Sequence, residues 1–152
     1  MSKTVLCLVL LSMLTTFADG NSTFYDQSGR RKGNALQHGN NTSYYDQSGR
    51  RSGSSSTSNN STTYRNSSGL KTGSSYTHGN NSADFYNHSG KKIGSSRKEG
   101  NSTTYRDASG RKVGSSRQSG NRIYYYDHSG RQIGSSTGDK SDPTMFFDLL
   151  NK

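Results

Sequence analysis

Asp26, Asp46, Asp107 and Asp127 recur in step with a repeated Ser-Gly pair and are the carboxylates regular enough to be read as paired acids and bases. Each precedes Ser-Gly by two residues, the place of residue i in a β-turn, where a carboxylate caps backbone N–H groups. General acid–base chemistry asks instead for convergent groups with shifted pKa values. His88 and His128 each stand just before a repeated serine, which puts them on one rim without making them neighbours. A metal ion typically takes about four ligands in fixed geometry. The many serines have no base and orienting acid beside them, and Gly-Ser-Ser lacks the Gly-Lys-Ser/Thr ending and following helix of a phosphate loop. The expectation is no catalytic residue, no cofactor, no metal and no enzyme.

The pattern with chemical weight is cationic and aromatic. Tyr25, Tyr45, Arg65, Tyr86, Arg106 and Tyr126 fall on one side of successive hairpins, opposite Arg31, Arg51, Lys71, Lys92, Lys112 and Gln132. With a formal net charge of +10, such a face sums rather than cancels and attracts polyanions. Arg and Tyr together also suit nucleic acids through phosphate contact and stacking. Export, argued below, turns the expectation toward an anionic glycan, envelope phosphate or lipid headgroup. The alternative is a solvated face on a structural or protein-docking module of the cell envelope with no small ligand.

The elements that must position this face follow from the repeat. Ser28-Gly29, Ser48-Gly49, Ser68-Gly69, Ser89-Gly90, Ser109-Gly110 and Ser129-Gly130 are spaced by 20, 20, 21, 20 and 20 residues, the self-similarity of a repeat architecture. Four residues before each serine stands an aromatic: Phe24, Tyr44, Tyr64, Phe85, Tyr105, Tyr125. Five residues after it stands Gly33, Gly53, Gly73, Gly94, Gly114 or Gly134, followed by Ser-Ser in all units but the first.

Asp or Asn opening a turn, with Gly in the left-handed position, predicts a three-residue hairpin loop with a G1 bulge. A second turn is expected near Gly39-Asn40, Gly79-Asn80, Gly100-Asn101 and Gly120-Asn121. Counting outward, Asp26 faces Arg30, Asn66 faces Leu70, and Phe85, Tyr105 and Tyr125 face Ile93, Val113 and Ile133. The extra residue of the fourth unit, between Asn80 and Phe85, reads as a bulge.

Composition agrees with a small core. Past Gly20 the chain has twelve Leu, Ile, Val and Phe, too few for a conventional single-core enzyme domain. The expected fold is all-β: six β-hairpin repeats of about 20 residues over 21–138, forming a shallow closed barrel or radial array. An open meander is the alternative, and the aromatic set is the expected interior.

Residues 1–20 have the layout of a signal peptide: Lys3, an apolar run from Val5 to Leu14, then Ala18-Asp19-Gly20 before a cut at Asn21. That predicts export to the periplasm, cell surface or medium, with no transmembrane segment left after cleavage. Cys7, the only cysteine, would leave with it. The tail at 139–152 breaks the repeat. Asp142-Pro143 and the spacing of Met145, Phe146, Leu149 and Leu150 predict a short helix or turn that caps the array, with a membrane or partner anchor, or a final strand through Phe146-Phe147, as the alternatives.

Tyr44-Tyr45-Asp46-Gln47-Ser48-Gly49-Arg50 and Tyr124-Tyr125-Tyr126-Asp127-His128-Ser129-Gly130-Arg131, each followed by Gly-Ser-Ser, resemble the repeats of the β-flower family. These are small exported bacterial proteins whose hairpins form the petals of a shallow, nearly symmetric barrel. The resemblance covers 21–138 and implies five- or six-fold closure. The Tyr-Asp-x-x-Gly-Arg core is also similar to the YD repeat of Rhs-type toxins, which build shells far larger than 152 residues can enclose. Choline- and glucan-binding repeats share the period and Tyr-Tyr but rely on Trp, which this chain lacks.

Overall fold

The computed structural model describes residues 20–138, so the signal-peptide segment up to Asp19 and the tail helix expected within 139–152 lie outside the described residues. Twelve strands follow one another: β1 (Asn21–Asp26), β2 (Arg31–His38), β3 (Asn41–Asp46), β4 (Arg51–Ser58), β5 (Ser61–Asn66), β6 (Lys71–His78), β7 (Ser82–Asn87), β8 (Lys92–Glu99), β9 (Ser102–Asp107), β10 (Lys112–Ser119), β11 (Arg122–Asp127) and β12 (Gln132–Thr137). Each pairs antiparallel with its neighbours in sequence, and β1 pairs with β12, so the sheet is a closed barrel rather than an open meander. Closure removes the edges that would otherwise offer unpaired backbone groups. There is no helix among the described residues.

The odd-to-even connections are the expected three-residue loops. In the first, Gly29 N–H donates to the Asp26 carbonyl (3.0 Å) and Asp26 N–H donates to the Arg30 carbonyl (2.9 Å). The Asp26 carboxylate accepts from the N–H groups of Ser28 and Arg30. Asn66 and Asn87 do the same with their side-chain oxygens, so the carboxylates are turn caps and the charge is optional. The loop glycine sits at φ +75 to +86°, where an L side chain is strained.

Beyond the loop the register departs from simple counting. Phe85, Tyr105 and Tyr125 stand opposite Gly94, Gly114 and Gly134, not Ile93, Val113 and Ile133. A bulge at each of those three residues shifts the even strand by one, and Ile93, Val113 and Ile133 pack beside the aromatic cluster instead of across from it. The glycine is required on its other side: at Gly53 a Cβ would lie 2.5 Å from the Arg65 carbonyl oxygen on the following strand. Absence of a side chain also lets Tyr44, directly opposite, lean across β4, so that its hydroxyl reaches Ser55 (3.0 Å).

The extra residue of the fourth unit is not a strand bulge. It lengthens the turn between β6 and β7 to Gly79-Asn80-Asn81 while Ser75 and Phe85 stay paired; the other even-to-odd turns have two residues. A turn absorbs an insertion without displacing any side chain to the other face, which a strand cannot do. Only the first residue of these two-residue turns has positive φ, as Gly39 (+56°) and Asn59 (+52°) show, matching a type II′ pattern.

Alternation sends the aromatic set inward. Phe85, Tyr105, Ile123 and Tyr125 form the buried cluster, with Tyr125 and Ser136 fully enclosed. Tyr64, Tyr105 and Tyr125 hydrogen-bond Ser75, Ser116 and Ser136 at 3.0–3.3 Å. The interior thus pairs these phenols with serine hydroxyls.

Candidate functional site

Closure places Tyr25, Tyr45, Arg65, Tyr86, Arg106 and Tyr126 on the outside, and register puts each directly across from Arg31, Arg51, Lys71, Lys92, Lys112 and Gln132 in turn. The expected face is therefore assembled as a girdle around the outside of the barrel, just above the three-residue loops.

The two serines of Gly-Ser-Ser divide between the faces. Ser54, Ser74, Ser95, Ser115 and Ser135 are paired with Arg65, Tyr86, Arg106, Tyr126 and Tyr25 of the neighbouring strand, Ser135 itself being buried. Their successors turn inward, where Ser55, Ser75, Ser116 and Ser136 meet the tyrosines. Around the girdle, Tyr and cation pairs thus alternate with hydroxyls.

Charge in the girdle is unevenly answered. Lys92 is paired with Asp84 (2.7 Å), which also contacts His78 (3.2 Å). Burial pushes the Asp84 carboxyl up, but hydrogen bonds and charge from Lys92 and His78 outweigh it and hold the group below its ordinary value. None of Arg31, Arg51, Arg65, Lys71, Arg106 and Lys112 has an ion pair among the described residues. Arg31 donates to the Asn34 side chain (2.6 Å). Arg65 and Arg106 lean over their loops and donate to the carbonyls of Gly69 (3.1 Å) and Gly110 (2.8 Å). Each also faces a lysine directly across the strands, a like-charge juxtaposition that costs stability.

Arg122 was outside the expected set, and it stands over the Tyr25 ring at 5.7 Å from the centroid, a cation–π contact at the β11 side of the girdle. Its signal in the sequence was weak, because it replaces the Asn or Ser that opens the other odd strands.

His88 and His128 are exposed in their loops. No cluster of three or more His, Cys, Asp or Glu is placed to hold a metal ion among the described residues. The loop carboxylates of Asp107 and Asp127 are ion-paired to Arg111 and Arg131, at 3.0 and 3.2 Å. No helix among the described residues is long and apolar enough to cross a membrane. In comparison with known proteins, the chain matches no family model and no curated protein sequence.

Proposed function

We propose that this chain is an exported, non-enzymatic repeat protein that binds anionic envelope glycan or lipid headgroups through its Tyr/Arg/Lys girdle. In this reading six repeats of about 20 residues each contribute one hairpin, in the manner of the β-flower family. The supporting observation is the pair of like-charge pairings across the strands, Arg65 opposite Lys71 and Arg106 opposite Lys112, whose cations have no ion pair among the described residues. A bound anion relieves that repulsion, and cations repeated around a ring reinforce one another toward a polyanion. Among the described residues the exposed large apolar side chains Leu36, Leu70 and Tyr76 stand on β2, the loop after β5, and β6, so the described barrel carries scattered apolar residues beside a repeated cationic face.

The test is retention on anionic vesicles or an isolated anionic glycan as salt is raised from about 0.05 to 1 M, which shortens the screening length several-fold. Retention should fall steeply, and R65A/K71A/R106A/K112A should weaken it at every salt concentration while the melting temperature stays within a few degrees. Salt-independent retention removes the electrostatic reading. A single stoichiometric protein partner whose binding survives the quadruple variant favours the docking-module reading.

A further inference from the structure

The two ends of the barrel are chemically unlike. In a barrel of consecutive antiparallel strands every odd-to-even loop lies at one end and every even-to-odd turn at the other. Each bulge glycine pairs with the Asp or Asn that opens the next loop, from Gly33 with Asp46 round to Gly134 with Asp26. A step repeated identically until it returns to its start has no net rise, so the loop tips stand level around the ring.

Among the described residues, the only Lys and Arg more than three residues from one of these loops are Arg97, Lys98, Arg117 and Arg122. All the others crowd the loop end, and the carboxylates there, Asp26, Asp46, Asp107 and Asp127, are occupied as turn caps. The opposite rim is made of turns such as Gly39-Asn40, Asn59-Asn60 and Gly100-Asn101, which carry no formal charge.

One loop departs from its neighbours. The residue after the loop glycine is Arg30, Arg50, Lys91, Arg111 or Arg131 elsewhere, but here it is Leu70, 67% exposed. The same loop has Asn66 in place of a capping acid, so from Asn66 to Leu70 it bears no formal charge. Backbone geometry does not ask for Leu: Asn66 N–H donates to the Leu70 carbonyl and Leu70 N–H to Asn66 Oδ1, both at 3.0 Å, as Asp46 and Arg50 do at 2.9 and 3.0 Å. Arg65 and Lys71 flank the loop, and Arg65 reaches over its tip to the Gly69 carbonyl (3.1 Å).

We infer that the loop end is a docking face for an anionic lipid bilayer, met end-on, with Leu70 entering the interface. This rests on the girdle reading and narrows it to one partner and one orientation. Cations standing level on a ring fit a plane of lipid phosphates, and each adds to the attraction. The uncharged loop is the one whose tip leaves water at least cost, and Leu70 gains from the apolar layer beneath the headgroups. Arg65 and Lys71 then lay their stems alongside it and keep their charges at phosphate level. A soluble anionic polymer has no apolar layer and gives Leu70 nothing to enter.

The test is flotation of the chain from Asn21 to Lys152, the form the predicted cut leaves, with vesicles of phosphatidylcholine alone or with about 30% phosphatidylglycerol at about 0.15 M ionic strength. Binding should need the anionic lipid. Arg50 and Lys91 lie outside the girdle pairs and have no ion pair among the described residues, so R50A/K91A should weaken binding about 20-fold, at about five-fold for each cation near the surface. L70A should weaken it about ten-fold. Because the chain has no Trp, L70W is a single reporter. Its emission should move to shorter wavelength on anionic vesicles and be quenched by brominated acyl chains, whereas S58W, at the opposite rim, should show neither effect. Equal binding to both vesicles, unchanged binding of L70A or R50A/K91A, or an S58W response equal to that of L70W overturns the docking face. If R65A/K71A/R106A/K112A weakens retention while L70A and R50A/K91A do not, the girdle reading stands and this one fails. Retention on an anionic glycan without vesicle binding has the same meaning. Should L70W not fold, L70A and R50A/K91A decide.

Discussion

In β11 the inner position two residues before the buried Tyr125 is filled by Ile123, whereas in β3, β5, β7 and β9 the equivalent position holds Thr42, Thr62, Ala83 and Thr103, which border a cavity of about 390 Å³ inside the barrel. Both sides keep the same loops and the same bulges, and, except where Phe85 replaces Tyr, the same Tyr–Ser pairs. The difference teaches that the backbone does not depend on a full interior. Loop caps, bulge glycines and backbone ladders define the barrel, so inner side chains on one side can be surrendered to a cavity. The apolar cluster that runs from Phe85 and Tyr105 to Ile123 and Tyr125 supplies what stability the hydrophobic effect gives.

If that division is right, Tyr125→Ala has the largest effect. It empties a fully buried site and strands Ser136, which should cost about 3–5 kcal/mol in urea unfolding. Tyr64→Ala, on the wall of the open side, should cost about half as much because its site already adjoins solvent-accessible space. Equal losses would break the comparison.

A smaller effect is expected where the two sides are built alike. Gly53→Ala forces β4 and β5 apart at the Arg65 carbonyl and should cost about 1–3 kcal/mol despite lying on the open side. The loop substitution Gly49→Ala meets no atom but is held at φ +77°, for about 1–2 kcal/mol. A neutral Gly53→Ala would mean that the strands yield and the glycine is dispensable.

The smallest change separates charge from capping. Asp127 is held at about 2, first by the Ser129 hydroxyl, against some burial, and then by the Arg131 and Ser129 backbone N–H groups and the Arg131 side chain. Its folded value lies below the unfolded value of about 3.9, so its contribution is present above about pH 4 and disappears as pH falls toward 2. Asp127→Asn keeps the backbone bonds, as Asn66 and Asn87 do, and should leave stability near pH 7 almost unchanged while flattening the loss between pH 4 and 2. Parallel pH curves for the two proteins would show that the acid limb comes from other carboxylates.

Much of this was readable from residues alone. Asp26 facing Arg30 and Asn66 facing Leu70 were accessible because Asx-capped loops have a local chemistry that needs no tertiary partner. Alternation then put the aromatics on one face and the Tyr/Arg/Lys set on the other. Counting failed one step further on, at Ile93, Val113 and Ile133, because a bulge breaks one-to-one pairing, although the invariant glycine beside each was in view. The Tyr–Ser bonds had a faint signature: the first unit, with Phe24 in place of Tyr, also has Ala35 in place of the inner serine. The cavity had none, since empty space depends on how neighbouring strands fill each other's gaps.

The β1–β12 seam has a kinetic consequence. Eleven of the twelve strand pairings join consecutive segments and can form as local hairpins, the arrangement that folds fast. The twelfth joins Thr23 to Thr137 and must close the whole ring at once, at the full entropic cost of a long loop. Until it forms, β1 and β12 are two complementary free edges on one chain. At low concentration they find each other; at high concentration β1 of one molecule can find β12 of another, and the same pairing that seals a monomer links a chain of swapped copies. Refolding yield should therefore fall with protein concentration even though the closed barrel itself offers no edge.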